Sequence, residues 1–127
     1  MRYVADTHAL IFHTINKLPK KSDEIFRSCE EGKGIIIYIP TIVLAESYYL
    51  VKHGKVKLDF DKLLNKLENS YNYSIISFNI DILKLFMKTK ANEIHDRIIV
   101  ATTKYLDAIL ITKDGEIRNS EEVKVVW

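Results

Sequence analysis

The chain has 127 residues, with 19 lysines and arginines against 17 aspartates and glutamates and a net charge of +2. That length makes one ordinary domain, residues 1–127, able to bury roughly two thirds of its unfolded surface without disulfides or a structural metal, and it leaves no room for a second. The balanced charge neither announces nor excludes a polyanionic partner, the single Cys29 excludes an internal disulfide, and the longest apolar run, Ile35 to Pro40, is too short to cross a membrane.

An acid among the opening residues Met-Arg-Tyr-Val-Ala-Asp, where a secretion signal needs an apolar run, points to a soluble protein of the cytoplasm. Tyr3 to Ala5 reads as a short buried strand ending at Asp6, and Thr7 to Phe12 turns into a helix. Asp6 then either caps that helix, with Thr7 as a competing cap, or stands as an acid at the carboxyl end of a central strand, where open α/β sheets place their chemistry. After Pro19, a charged helix runs from Ser22 or Asp23 to Glu31 and stops at Gly32 and Gly34. Ile35 to Ile39 is almost entirely β-branched, as expected of a strand covered on both faces.

Pro40-Thr41 ends that strand, and a helix from Ile42 to about His53 carries Glu46 one turn in, either solvated or facing the neighbouring strand ends. Its run Tyr48-Tyr49-Leu50-Val51 is more apolar than one buried helix face requires and is a candidate surface for self-association. Asp59 to Asn69 is amphipathic scaffold, with Leu63, Leu64 and Leu67 inward. Ser74 to Ser77 gives a third strand and Ile80 to Lys88 an apolar helix. Lys84, Lys88 and Lys90 form either a solvated face or a set of phosphate contacts.

The segment Asn92 to Thr103 reads as a helix with Asn92 as its cap and Asp96 in its first turns, apolar on most bearings, so that a bare Asp96 carboxylate needs a cation. Ala108 to Ile111 is a fourth strand with Thr112 to Gly115 as its exit turn; Asp114-Gly115 is turn chemistry in its own right. A charged turn from Arg118 to Glu122 precedes a short fifth strand, Val123 to Trp127. Strands alternating with helices over short links predict a doubly wound, three-layer α/β/α sandwich around a central, mostly parallel sheet.

Asp6, Glu46, Asp96 and Asp114 each lie at a strand's exit or early in the helix that follows. Brought to one edge as ions they repel, by about 4 kcal/mol for one pair 4 Å apart at an effective dielectric near 20, so the cluster makes sense only around divalent cations. Oxygen ligands without Cys or a His pair point to Mg²⁺, with Mn²⁺ as a substitute, and such a site does phosphoryl chemistry through an activated water.

Four stretches carry a family resemblance: Val4-Ala5-Asp6-Thr7-His8-Ala9-Leu10, Pro40 to Glu46, His95 to Thr102, and Leu110 to Asp114. In order and spacing they resemble the motifs of PIN-domain ribonucleases, and of the VapC-type toxins of toxin–antitoxin pairs, from Tyr3 to Trp127. The resemblance implies a three-layer α/β/α fold, Mg²⁺-dependent endoribonuclease activity on RNA, a homodimer, and a small antitoxin protein that blocks the site. It implies Asp6 and Asp96 as principal metal ligands, Glu46 as a ligand directly or through water, and Asp114 as the outer acid. Thr7, Thr112 and Arg97 stand around them on the substrate side. Thr112 matches the hydroxyl two residues before the last acid, Arg97 braces Glu93 in preference to contacting RNA phosphate, and His8 and His95 are local hydrogen-bonding residues.

A haloacid-dehalogenase-like phosphatase needs a second Asp where His8 stands, and a response-regulator receiver needs an acid where the third strand ends in Ser77-Phe78-Asn79. The rival from another class is a non-catalytic PIN-like module that binds RNA or protein, against which the retention of all four acids counts.

Overall fold

Short stretches rich in Val, Ile and Tyr become five strands of one sheet in the computed structural model, which describes residues 1–127. They are β1 (Arg2–Ala5), β2 (Ile36–Pro40), β3 (Tyr73–Ile76), β4 (Ile109–Ile111) and β5 (Val125–Val126). The helices between them are α1 (Thr7–Thr14), α2 (Lys20–Glu30), α3 (Thr41–Lys52), α4 (Phe60–Glu68), α5 (Ile80–Phe86), α6 (Ile94–Tyr105) and α7 (Gly115–Ser120). None is long and apolar enough to cross a membrane.

Every strand pair is parallel, in the order β3-β2-β1-β4-β5. Parallel neighbours require crossovers, so helices cover both faces and the architecture is the three-layer α/β/α sandwich the alternation predicts. From β1 the chain steps outward through β2 and β3, then returns to the other side of β1 with β4 and β5. That reversal leaves a crevice between the carboxyl ends of β1 and β4, where Ala5 pairs with Ile111. Asp6 and Thr112 are the next residues at that edge.

Val4, Leu10, Phe26, Ile37, Ile39, Val43, Val100, Leu110 and Ile111 are completely or almost completely buried, in one continuous core. A polar knot pins its periphery: the Glu30 carboxylate on α2 accepts from the Tyr73 hydroxyl of β3 at 2.7 Å and pairs with Lys66 of α4 at 2.6 Å and His13 of α1 at 3.3 Å. Burial opposes the charge on Glu30, but the bonds from Lys66 and Tyr73 outweigh it and hold the carboxyl below its ordinary range. Burial also lowers the pKa of His13, which stacks on Phe26 at 4.3 Å between ring centroids.

Several boundaries differ from the expectations, for local reasons. The cap of α6 is Glu93, not Asn92: its carboxylate accepts from the Asp96 backbone N–H at 2.8 Å. The helix is not covered along its whole length: Ile94 and Tyr105, at its two ends, are exposed. The exit of β4 is no simple turn, since Asp114 caps α7 by accepting from Ile117 N at 3.1 Å, and the helix takes up half of the charged turn. β5 shrinks to two residues.

Arg97 does not brace Glu93. Its guanidinium turns to the frayed end of α5, donating to the Phe86 carbonyl at 2.6 Å and the Ala91 carbonyl at 3.0 Å, and lies 4.9 Å over the Phe86 ring. Carbonyls at and after a helix end have acceptor capacity to spare, the Phe86 carbonyl accepting also from Thr89 N at 3.2 Å, and a planar cation with several donors reaches two at once. Arg97→Met, which keeps the apolar stem but no donor, is expected to cost about 2 kcal/mol in urea unfolding. Arg97→Lys recovers only part of that loss, because an ammonium has no planar fork to span both carbonyls.

Candidate active site

Asp6 is 7 % exposed and caps α1, its Oδ1 accepting from the Ala9 backbone N–H at 2.9 Å. Burial pushes its carboxyl above the ordinary range; the Thr112 hydroxyl and the Ala9 N–H pull the other way. Thr112, fully buried at the end of β4, also accepts from the Asp114 backbone N–H at 3.1 Å, so one hydroxyl ties the two strand exits together.

Glu46 reaches the same crevice from the second turn of α3. Its Oε1 accepts from the Thr7 hydroxyl at 2.7 Å, and its Oε2 lies 3.2 Å from His95 Nδ1. His95 is in turn 3.1 Å from Glu93 Oε1, so its imidazole sits within ion-pair distance of two acids. His8 packs edge-on against Phe12 with centroids 6.0 Å apart.

Asp96 is the acid without a donor. Burial raises its pKa, and Asp114, Glu93, Glu46 and Asp6 raise it further, to about 6. Every one of those neighbours acts in the same direction, which is the electrostatic signature of carboxylates converging on one place.

Asp6, Glu46, Asp96 and Asp114 line a single cavity of about 1230 Å³, with Thr7 at its floor. Thr112 braces that floor from below. Arg97 lies outside the cavity, as do Lys84, Lys88 and Lys90, which are exposed. Tyr49 and Lys113 line it without having been singled out as site residues. The spacing of Tyr49 to Glu46, three residues along a helix, was a usable signal; Lys113, one residue before Asp114, offered none.

The donor set is hard oxygen from carboxylates, which suits a small divalent cation. No three His, Cys, Asp or Glu side chains are placed to hold a metal ion together, because Glu46 is drawn to Thr7 and His95 while Asp6 and Asp114 each commit an oxygen to a helix cap.

The PIN domain family model matches residues 3–122. The chain belongs to the PIN domain family. No curated protein sequence matches it. Among solved structures, a chain of the VapBC2 complex of Rickettsia felis bound to a fragment of its promoter DNA superposes with a TM-score of 0.70 at 20 % identity, covering 99 % of this PIN domain chain and 98 % of the other. A toxin–antitoxin complex from Klebsiella pneumoniae gives 0.69 at 19 % identity, with 98 % and 96 % covered. VapBC-1 of nontypeable Haemophilus influenzae gives 0.65 at 18 % identity, with 99 % and 97 % covered. At such identities the likeness is one of fold.

The crowding at Asp96 has a consequence for stability. A carboxyl raised in the folded state contributes stability that is complete below its ordinary value of 3.8 and is lost as the pH rises through about 6. Asp96→Asn removes that dependence. In metal-free buffer the variant is expected to gain stability over the parent between about pH 4 and pH 8, read as a growing difference in urea midpoint. A constant difference across that range would show that the four acids do not act on one another.

Proposed function

We propose that this PIN domain is a Mg²⁺-dependent endoribonuclease, with Mn²⁺ as a substitute metal. In this reading it is a toxin of the VapC type, working as a cytoplasmic homodimer and held in check by a small cognate antitoxin protein. The observation that carries the reading is the convergence of Asp6, Glu46, Asp96 and Asp114 on one cavity, where burial first and then the neighbouring acids raise the Asp96 carboxyl to about 6. The full-length fold likeness to chains of toxin–antitoxin complexes supports the toxin role.

Asp6, Glu46, Asp96 and Asp114 would hold the cation, which supplies Lewis acidity toward water and toward the phosphodiester. Asp6 is fixed by its helix cap and by Thr112, so its outward oxygen keeps one direction. Glu46 is aimed by Thr7 and His95. Asp96, free of donors, is the group able to move toward a ligand at least cost. The reading takes water as the nucleophile that displaces the leaving oxygen at phosphorus, with the Thr7 hydroxyl committed to positioning Glu46.

The second reading is a PIN fold that binds RNA or protein without cutting. Two experiments separate them. Asp6→Asn and Asp96→Asn are each expected to lower RNA cleavage more than about 100-fold with the circular dichroism spectrum unchanged, and chelation of divalent ions should do the same. Undiminished cleavage by either variant, or in EDTA, sinks the metal-dependent nuclease.

Expressed alone, the protein is expected to arrest growth of its host, and co-expression of the adjacent reading frame to relieve the arrest. The Asp96→Asn variant should be harmless at equal expression. Normal growth with active, unpartnered protein would remove the toxin role and leave the nuclease.

A further inference from the structure

Four carboxylates repel a polyanion, so whatever draws and aligns a nucleic acid must stand outside them. The cavity wall opposite the strand exits belongs to α3, where Ile42, Ala45, Tyr49 and Leu50 face the same space as the acids. Tyr49 is 62 % exposed there, an unusual placement for an aromatic ring that has apolar neighbours to hide against. It is not loose: its ring lies 4.1 Å from that of His53, one turn on. Tyr48, beside it, points elsewhere and packs edge-on against Phe60 at 5.4 Å.

Beyond Tyr49 the chain becomes basic. Lys52, His53, Lys55 and Lys57 are all exposed around the Gly54 turn, and no acid pairs with any of these lysines. Lys113 brings a further cation to the cavity from β4's exit, 5.1 Å over the Phe12 ring. A flat ring thus stands between a row of cations and a cluster of acids, the order of parts that a strand of phosphates carrying unstacked bases would meet.

We propose that Tyr49 is the stacking platform for one unpaired base of single-stranded RNA, with the Lys52–Lys57 turn holding the phosphates that follow. The proposal rests on the endoribonuclease reading and assigns named residues of this chain to holding the substrate beside the acids. A base inside a duplex is stacked on its own neighbours and cannot lie on Tyr49, whereas a single strand or an open loop offers its bases freely. Stacking tolerates any base, so the platform selects for strandedness and leaves sequence choice to other contacts. A second copy of the chain is the less suitable occupant of this wall, because an apolar surface closed over the cavity would further desolvate Asp96, which has no donor.

The test measures affinity in the Asp96→Asn background, in Mg²⁺ buffer, for a fluorescent single-stranded RNA of mixed sequence and for the same sequence as a hairpin duplex. Tyr49→Ala and Tyr49→Leu are expected to weaken single-strand binding about ten-fold, and Tyr49→Phe to leave it within about two-fold. Duplex binding, weaker from the start, should not change. In the otherwise unaltered chain, Tyr49→Ala should raise KM for cleavage and leave kcat.

Wild-type affinity in Tyr49→Ala, or an equal loss for duplex and single strand, overturns the platform while cleavage by the parent leaves the nuclease standing. No RNA binding and no cleavage by the parent overturns both. Sedimentation of the same variants covers the remaining occupant: if Tyr49→Ala dissociates a dimer and affinity falls only with dissociation, this wall is an interface between copies and the proposal fails.

Discussion

The pairing of Ala5 with Ile111 in adjacent parallel strands is the constraint from which the site descends. Strand side chains alternate, so a slip of one residue between β1 and β4 would send Asp6 to the opposite face and leave Thr112 without its carboxylate. Buried apolar side chains hold the register: Val4, Ala5, Leu110 and Ile111 are all fully enclosed, and a slip would expose one set of them. The chain's reversal at the same two strands then opens the only kind of crevice an all-parallel sheet provides, at the carboxyl ends on either side of a switch point. The chemistry of the cavity therefore rests on packing several residues below it.

The acids raise a question that the sequence posed as a choice: cap or ligand. The structure shows that the alternatives do not compete. A carboxylate has two oxygens, and Asp6 spends Oδ1 on Ala9 N while Asp114 spends Oδ1 on Ile117 N. The cap removes rotational freedom from the side chain and leaves an oxygen aimed outward. Glu46 reaches the same end differently, because a helix-interior residue has no cap to make; Thr7 and His95 restrain it instead. The residue beside Asp6 thus serves its neighbour's acid from across the crevice.

Strands were legible because β-branched runs have few other uses, and the parallel order followed from the helices between them. Asp6, Asp96 and Asp114 stood out because each directly follows a strand or lies in the first turn of a helix, and Glu46 because it lies one turn into the helix after β2. Features set by competition between partners were not. Glu93 displaces Asn92 as cap because its longer side chain folds back onto Asp96 N, and once engaged there it is lost to Arg97, which donates instead to the Phe86 carbonyl at the end of α5 and to the Ala91 carbonyl beyond it. Asp114-Gly115 carries the same residues whether it makes a turn or starts α7; what decides is Ile117, buried against the core and drawing the segment into a helix. Tyr49 read as part of an apolar run because sequence alone does not say which side of α3 borders the acids.

Asp96 gives these pieces their order. It is the one acid of the four with no donor, and it sits where the other three raise the cost of its charge. A scaffold shaped only for stability would have placed an amide or a hydrocarbon there, since replacing one partner of a repelling set relieves the rest. Three restrained carboxylates and one under strain give a cavity whose energy falls when positive charge enters it, and the fall is largest for a compact dication. Under the proposed endoribonuclease reading, that same field turns away RNA phosphates, so affinity has to come from groups that carry no negative charge and stand far enough off to escape it. The exposed ring of Tyr49 and the unpaired lysines after it meet that requirement, which is why the acid cluster and the α3 wall make physical sense only together.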